Sequence, residues 1–469
     1  MTAPGPKRAA DVVVVGGGNA ALCAALSACE YVGSVLILES AAEELRGGNT
    51  RHTRNIRHLH AAADDVLTGA YTEEELWEDL VRVSDDDIDE DVARMVIRES
   101  ETVPRFMESH GVHWQPSLRG TLHLSRTNRF FLGGGKAMLN ALYTSAAGKN
   151  ITVMYETPVT DVLMDGRRAT GVVASVNGEP THLTAGAVVV ASGGFEANKE
   201  WLGEYWGEAA DRFVVRGSPF NTGGPLKALL DRGAHSIGNP RGAHAISVDA
   251  RAPDFDGGIV TRIDSVPLSI MVNKRGERFA DEGEDLWPRR YASWGHLIAA
   301  QPDQMAFSIY DSRVSGLFIP GLYPPFESDS LEDLARQAGL PWDALRQTLA
   351  TYNAGVPSDP AFDHGRLDGR ATRGLPIAKS NWALPIDTPP FFAYPLRTGI
   401  TFTYMGLRVD RDAHVQTDEG SIENLFAAGE IMSGNVLTAG YLAGFGLTIG
   451  AVFGRIAGTG AGRIASGGT

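Results

Sequence analysis

Arg51, His52, Arg54, Arg57 and His58 crowd one stretch of a chain whose formal net charge is −15. His123, Arg126 and Arg129 add to the cluster downstream, so an acidic protein has gathered cations in one region. A guanidinium offers a planar fork of donors that grips a carboxylate bidentately and stays charged at any working pH. These residues are candidates for holding an anionic small molecule. The plainer use, pairing with Asp and Glu or facing solvent, applies most to Arg57, His58 and Arg129. No metal chemistry is expected. His110, His113, His235, His364 and His414 lack ligand spacing, and Cys23 and Cys29 form no CxxC.

Glycine spacing carries the second signature. Asp11 to Val15 reads as an apolar strand, and Gly16-x-Gly18-x-x-Ala21 follows at dinucleotide spacing before a helix. Gly16 permits the tight turn, Gly18 lets backbone approach a pyrophosphate, and small Ala21 lets helix pack on strand. The helix start then offers free N–H groups and a positive dipole end to the phosphates. About 20 residues on, Val35 to Leu38 supplies a second strand, and Glu39 places a carboxylate for ribose hydroxyls. Near the other end, Asn424 to Gly429 and Glu430 repeat the strand-and-glycine theme. Nicotinamide dehydrogenases rarely return to the first sheet from the far C-terminus. Chains that must cover a flavin ring do, so FAD is the expected cofactor.

Such motifs need a sheet and its helices to position them. The pattern predicts a βαβ unit over about 12–38 and a helix over 72–83, opened by a Thr72/Glu75 capping box. Asp85, Asp86 and Asp87 read as a solvated helix-start run, and Gly133, Gly134 and Gly135 as a loop-to-helix entry. Short strands are predicted at 152–155, 161–164, 170–176 and 187–191. From about 235 to 381 the texture shifts to more Arg, Trp and Pro, with fewer buried-strand signals. The expected fold class is α/β: a discontinuous Rossmann-like FAD-binding domain (11–235 and 382–460) with an inserted α+β cap domain (236–381).

Composition sets outer limits. A chain of 469 residues can bury a large core in two or three structural units. Its 55 glycines stand well above the average of about 7%, as backbone packed against a cofactor requires. The negative charge, with a pI near 5.3, argues against nucleic acid and anionic membrane partners. No apolar run suits a membrane span, and the start lacks a signal-like core, so a cytoplasmic chain is expected. Cys23 and Cys29 are expected to be core thiols rather than a disulfide.

Segments 16–26 (GGGNAALCAAL), 46–55 (RGGNTRHTRN), 121–128 (TLHLSRTN), 272–283 (VNKRGERFADEG) and the tail 399–458 carry a family resemblance. The chain resembles the flavoprotein superfamily of soluble fumarate reductases and succinate dehydrogenase flavoprotein subunits. Within it, the chain resembles the FAD-dependent tricarballylate dehydrogenases. The resemblance runs over about 11–458. It implies Gly16, Gly18, Asn19 and Ala20 at the pyrophosphate, and Glu39 and Ser40 at the adenosine ribose. Gly47, Gly48, Asn49 and Thr50 match the loop passing pyrophosphate and flavin, Val159 the adenine, and Ser192 and Gly193 the cofactor flank. Gly429 and Glu430 match the ribityl contact, and Gly444, Gly446 and Leu447 the pyrimidine edge, where N–H groups stabilise an anionic reduced flavin. Gly48 occupies the place of the histidine that attaches FAD covalently in some relatives. Noncovalent FAD is implied.

Catalysis in the resembled enzymes is hydride transfer between flavin N5 and a carbon beside a carboxylate, coupled to proton transfer at the neighbouring carbon. The implied positions are His244 for a first histidine and Thr261 for a threonine, with Arg262 replacing the glutamate beside it. Arg289 and Arg290 stand near the proton-shuttling arginine. Thr401 or Phe402 takes the place of a second histidine and Tyr441 that of a clamp arginine, which makes fumarate itself a poor fit. Arg51, Arg54, His52, His123 and Arg126 then supply the missing cations, while Tyr404 and Tyr441 offer hydroxyls for contact or proton passage. The expected function is desaturation of a C–C bond in a tricarballylate-like polycarboxylate. Alternatives are reduction of an unsaturated carboxylic acid, or a flavin subunit of an electron-transfer complex. A flavin monooxygenase is disfavoured because no second glycine fingerprint is present. With no cysteine cluster for iron–sulfur centres, electrons are expected to leave by diffusion or through another protein, a separate electron acceptor or a quinone-linked partner.

Overall fold

The computed structural model describes residues 9–84, 88–116 and 124–468. His123 and the run Asp85, Asp86 and Asp87 lie outside the described residues. The βαβ expectation at the N-terminus holds. Ala10–Val15 forms the first strand, Asn19–Ala28 the helix and Val35–Leu38 the second strand, with Val12 opposite Val35 in parallel register. Thr72 caps the helix Glu73–Val83 through the expected capping box.

These strands belong to an eight-stranded sheet. Its path runs His414–Thr417, Gly420–Ala427, Glu179–Val190, Ala10–Val15, Val35–Leu38, Ile151–Met154. All neighbours on this path are parallel except the antiparallel outer pair His414–Thr417 and Gly420–Ala427. Val12, Val13, Val14, Val188 and Val189 are buried, as central parallel strands covered on both faces require. Val159–Asp165 and Arg168–Val176 continue from Glu179–Val190 as an antiparallel ribbon.

The two ends of the chain meet between two helices. Asn19–Ala28 packs along the C-terminal helix Phe445–Ala465, which turns a row of glycines toward it. A Cβ at Gly454 would stand 2.5 Å from the Ala20 carbonyl oxygen, and one at Gly458 would stand 2.1 Å from that of Ala24. Only hydrogen fits there, so backbones touch.

A second, six-stranded sheet is built around the long strand Phe391–Thr403. Ala243–Asp249, Ala306–Asp311 and Phe326–Ser328 pair with it antiparallel, and Val214–Val215 pairs parallel. Helices Leu331–Ala338 and Trp342–Gly355 cover it through a separate apolar cluster that includes Leu334, Leu345, Leu349 and Tyr352. Two of its strands, Val214–Val215 and Phe391–Thr403, lie outside the interval 236–381. Hydrogen-bonded membership of this sheet, invisible to a change in composition, runs past that interval on both sides, from Val214 to Thr403. Within this layer Arg278 and Glu282 of the GERFADE segment form a buried ion pair, and Glu282 also accepts from the Met271 N–H. That segment is scaffold. No helix among the described residues is long and apolar enough to cross a membrane, and both cysteines are free.

Candidate active site

Gly16, Glu39, Ala191 and Ala428 each follow the C-terminal end of a parallel strand, and all four line one deep cavity. Ligands of open α/β sheets bind at that edge. Gly16 has a φ of +103°, and a Cβ on it would lie 2.4 Å from the Ala191 carbonyl oxygen, so the turn admits glycine alone. Gly18 caps the next helix without a side chain, leaving the orphan N–H groups of the first turn to an incoming group. Glu39 accepts from the N–H groups of Ala41 and Gly47 at 2.9 and 3.1 Å, which folds the 40–47 loop against the cavity. Every residue expected at the cofactor lines the cavity: Gly16, Gly18, Asn19, Ala20, Glu39, Ser40, Gly47, Gly48, Asn49, Thr50, Val159, Ser192, Gly193, Gly429, Glu430, Gly444, Gly446 and Leu447. The Ser192 hydroxyl is buried with no partner. An elongated cradle with a glycine-walled, donor-rich phosphate end fits FAD.

Midway along, two buried carboxylates face each other. Asn49 Nδ2 donates to Glu196 Oε1 at 2.5 Å and lies 3.3 Å from Glu430 Oε2. Asn221 Nδ2 also donates to Glu196, at 2.8 Å, and the Thr403 N–H donates to Glu430 at 2.9 Å. Burial pushes both carboxyls above their usual range, and each acts on the other, so the pair retains a proton.

The far end of the cavity is lined by donors from the second sheet and the 48–55 loop. Arg216 Nη2 donates to Thr401 Oγ1 at 2.9 Å, which leaves that hydroxyl to donate to His244 Nδ1, also at 2.9 Å. His244 Nε2 then carries the proton toward the cavity, where it has no partner. Burial, then Arg216 and Arg262, hold the His244 pKa well below its ordinary value, so the ring is neutral. Its face stacks on Tyr441 with centroids 4.1 Å apart. Tyr441 is pinned by the Gly446 N–H, which donates to its hydroxyl at 3.0 Å. Arg216 Nε and Nη1, and Arg54 Nε and Nη2, are buried without partners. Burial lowers both guanidinium pKa values to about 10, leaving them charged. Arg262 is different, because Asp264 accepts from its Nη2 at 2.8 Å and neutralises it. Two uncompensated guanidinium groups and a neutral N–H donor make this end complementary to an anion bearing more than one carboxylate.

Several sequence candidates stand elsewhere. Arg290 pairs with Glu284 at 2.5 Å, and Arg289 with Asp79 at 2.9 Å. Neither lines the cavity, because both sit on the short helix Trp287–Arg290 whose next residue, Tyr291, is the one turned inward. Arg51 donates to the Leu45 carbonyl at 3.1 Å on the other side of its 3₁₀ turn. Thr261 donates to the Gly258 carbonyl, and Arg126 to the Ala70 carbonyl and Glu75. Tyr404 donates to the Gly440 carbonyl at 2.8 Å and lies outside the cavity lining. His52 lines the cavity, but Asp256 holds its Nε2 at 2.7 Å. Arg57, His58 and Arg129 are structural. Arg57 meets the Tyr71 hydroxyl at 2.6 Å, and His58 Nε2 accepts from Arg129 at 3.0 Å. Arg54, Arg262, His244 and Tyr441 are brought together, joined by Arg216 and Tyr291, which the sequence pattern did not single out. Arg216 stands alone after Val214–Val215, and only sheet pairing carries it to Thr401.

The fold and this cavity define an FAD-binding protein. The chain belongs to the FAD binding domain family, whose sequence model matches residues 11–447. It is 29% identical over 341 residues to the NADH:acrylate oxidoreductase of Vibrio harveyi, covering 69% of this chain and 32% of that protein. With the NADH:fumarate oxidoreductase of Klebsiella pneumoniae (strain 342) it shares 26% identity over 438 residues, covering 90% of this chain and 44% of the relative. The chain thus spans less than half the length of either. In fold it superimposes on the open conformation of a flavocytochrome c3 fumarate reductase with a TM-score of 0.76 at 23% identity, covering 98% and 79% of the two chains.

Proposed function

We propose that this chain is an FAD-dependent oxidoreductase acting on a CH–CH unit of a small polycarboxylate, with a tricarballylate-like acid as substrate and FAD held noncovalently. The carrying observation is that Arg54 and Arg216, at one end of the FAD-shaped cavity, each keep two buried guanidinium nitrogens without a partner, Nε and Nη2 of Arg54 and Nε and Nη1 of Arg216. When bound, FAD supplies a two-electron hydride acceptor. The chain's own residues do the rest. Arg54 and Arg216 grip carboxylates, His244 Nε2 donates a further hydrogen bond, and Thr401 fixes the His244 ring and Arg216 together. Phe402, Tyr291 and Tyr441 wall the site against water. Holding both reacting carbons still contributes through orientation as well as charge.

Reduction of an unsaturated acid is the second reading. It is favoured by the names of the relatives, an acrylate and a fumarate oxidoreductase. The electron partner is a separate protein or quinone-linked carrier in this reading. Noncovalent attachment is supported by glycine at position 48 and by the engagement of His52 with Asp256.

The test is anaerobic. The holoprotein is mixed with a panel of saturated di- and tricarboxylates while flavin absorbance is followed, and the dithionite-reduced protein is mixed with their unsaturated counterparts. Bleaching by a tricarboxylate supports the first reading, and reoxidation by an unsaturated acid alone supports the second. A flavin inert to every member of both panels rejects the proposal, and a flavin that stays with acid-denatured protein rejects noncovalent attachment.

A further inference from the structure

Proton transfer at carbon needs a group that can give and take a proton inside the cavity, and the expected arginines are not there. Arg289 and Arg290 are committed to Asp79 and Glu284 outside it. Among the described residues of the anion-binding end, the titratable groups without a permanent charge are His52, His244, Tyr291 and Tyr441, and His52 has its Nε2 held by Asp256 at 2.7 Å. His244 has its Nδ1 fixed by Thr401, and its neighbours Arg216 and Arg262 oppose the imidazolium that proton uptake would create. Tyr441 is stacked on His244, with its hydroxyl occupied by the Gly446 N–H.

Tyr291 differs from these three. It is 3% exposed, it lines the cavity, and no hydrogen-bond partner takes its hydroxyl among the described residues. The Arg262 guanidinium carbon lies 5.0 Å from its ring centroid, and Asp264, bonded to both Arg262 and Trp287 Nε1, holds that cation in place. Burial keeps the phenol above its usual pKa, while Arg262 first, then Arg216 and Arg54, act to stabilise a phenolate. The hydroxyl is therefore protonated at rest and surrounded by the charges that its conjugate base needs.

Resting on the oxidoreductase reading above, we propose that Tyr291 is the catalytic proton carrier of this site. In desaturation the Tyr291 hydroxyl first gives its proton to solvent water; the carbon–hydrogen bond at one carbon then breaks, its proton passes to the phenolate oxygen, and its electron pair becomes the new C=C bond. The neighbouring carbon loses hydrogen with its electron pair, for which FAD, when bound, would be the two-electron acceptor. In the reverse direction the Tyr291 hydroxyl delivers its proton to carbon as hydride reaches the neighbouring carbon. Arg54 and Arg216 hold the carboxylates throughout, and Arg262 is a positioning residue, acting through Tyr291.

The experiment compares wild type, Tyr291→Phe and His244→Gln as FAD-loaded protein. Affinity for a non-reacting dicarboxylate is read from the perturbation of the flavin spectrum, and the rate of flavin reduction from stopped flow in H₂O and D₂O. Tyr291→Phe removes one oxygen and retains the ring, and its FAD content and melting temperature report the fold. The expected result is dicarboxylate affinity close to wild type, flavin reduction slower by on the order of 100- to 10,000-fold, and loss of the solvent isotope effect. Wild-type rate in Tyr291→Phe overturns the proposal, as does a variant whose only defect is weaker dicarboxylate binding. If wild type itself reacts with no carboxylate in either direction, the oxidoreductase reading has failed instead.

Discussion

The Asn19 side-chain amide donates to the carbonyl of Leu447 at 2.9 Å, joining residues 428 positions apart in sequence. Asn19 opens the fingerprint helix and Leu447 lies in the first turn of the C-terminal helix, so one hydrogen bond ties the starts of two helices that both line the cavity. The glycine row of the C-terminal helix makes this approach possible. At Gly458 an added methyl would meet the Ala24 carbonyl oxygen at 2.1 Å. Gly458→Ala gains helix propensity of up to about 1 kcal/mol, yet forces the two helices apart. Overpacking of this kind typically costs about 1–3 kcal/mol. The expected outcome is a lower melting temperature together with weaker FAD binding, because the shift is transmitted to Asn19. A melting temperature above wild type would show that the contact is slack.

Arg216 carries a function–stability conflict. Its Nε and Nη1 have no partner in a site it shares with the cationic Arg54 and Arg262. An uncompensated buried charge destabilises the folded chain, and a carboxylate ligand repairs that. Arg216→Met should therefore raise the melting temperature of ligand-free holoprotein while weakening dicarboxylate binding by on the order of 2–5 kcal/mol. Arg54→Lys keeps a charge but loses the fork, and should bind between wild type and Arg54→Ala. Thermal shifts with and without dicarboxylate check both statements. An Arg216→Met protein that gains as much stability from ligand as wild type does would remove Arg216 from the binding site.

How far this was legible in the sequence differs between the two ends of the cavity. The cofactor end is written locally: a strand, glycines at fixed offsets and a helix start must form a phosphate cradle wherever they occur. The anion-binding end is assembled from distant strands, and charge clustering along the chain misled. Arg51 and Arg54 are three residues apart, but the 3₁₀ turn Gly48–His52 ends between them, so one faces Leu45 and the other the cavity. Arg290 and Tyr291 are adjacent on a helical segment, where successive side chains diverge by about 100°, and the hydrophobic-looking neighbour points inward. Arg216, Glu196 and Asn221 gave no signal, since their meaning lies in which strand end they meet. Phe391–Thr403 lies in the stretch 382–460 expected to rejoin the first domain, yet it pairs within the second sheet, a membership that composition does not carry.

Acid should destabilise the folded protein in a window set by buried histidines. Burial holds the His58 pKa down to about 3, and its Nε2 accepts from Arg129. In the unfolded chain the same group titrates near about 6.5. As pH falls below that value the unfolded chain takes up the proton and the folded one does not, so stability is complete above about 6.5 and declines toward the folded value. His244 and His296 act in the same direction, both lowered mainly by burial. His58→Gln cannot gain that proton, and its melting temperature should fall less than that of wild type between pH 7 and pH 5. Parallel curves for the two proteins would clear His58 of this role.

The Glu196–Glu430 pair should produce the opposite limb. Both carboxyls are raised, by burial first, with Glu196 also pushing Glu430 upward. A carboxyl whose folded pKa lies above its unfolded value of about 4.3 contributes stability that is complete below that value. The contribution is lost as pH rises through the folded value, when a second negative charge must enter the same buried space. Asn49 and Asn221 donate to Glu196, and the Thr403 N–H donates to Glu430, so together they can support one carboxylate but not two at close range. Glu196→Gln keeps the shape, still accepts from both asparagines and turns an N–H toward Glu430, with no second ionisation left to suffer. This variant should match wild type near pH 5 and exceed it in melting temperature above neutral pH. It should also retain FAD better there, because Glu430 and Asn49 line the cofactor cavity. Melting curves and FAD release followed across pH 5 to 9 decide the matter: a Glu196→Gln protein less stable than wild type at the alkaline end means that both carboxylates are ionised and needed, and the shared proton is absent.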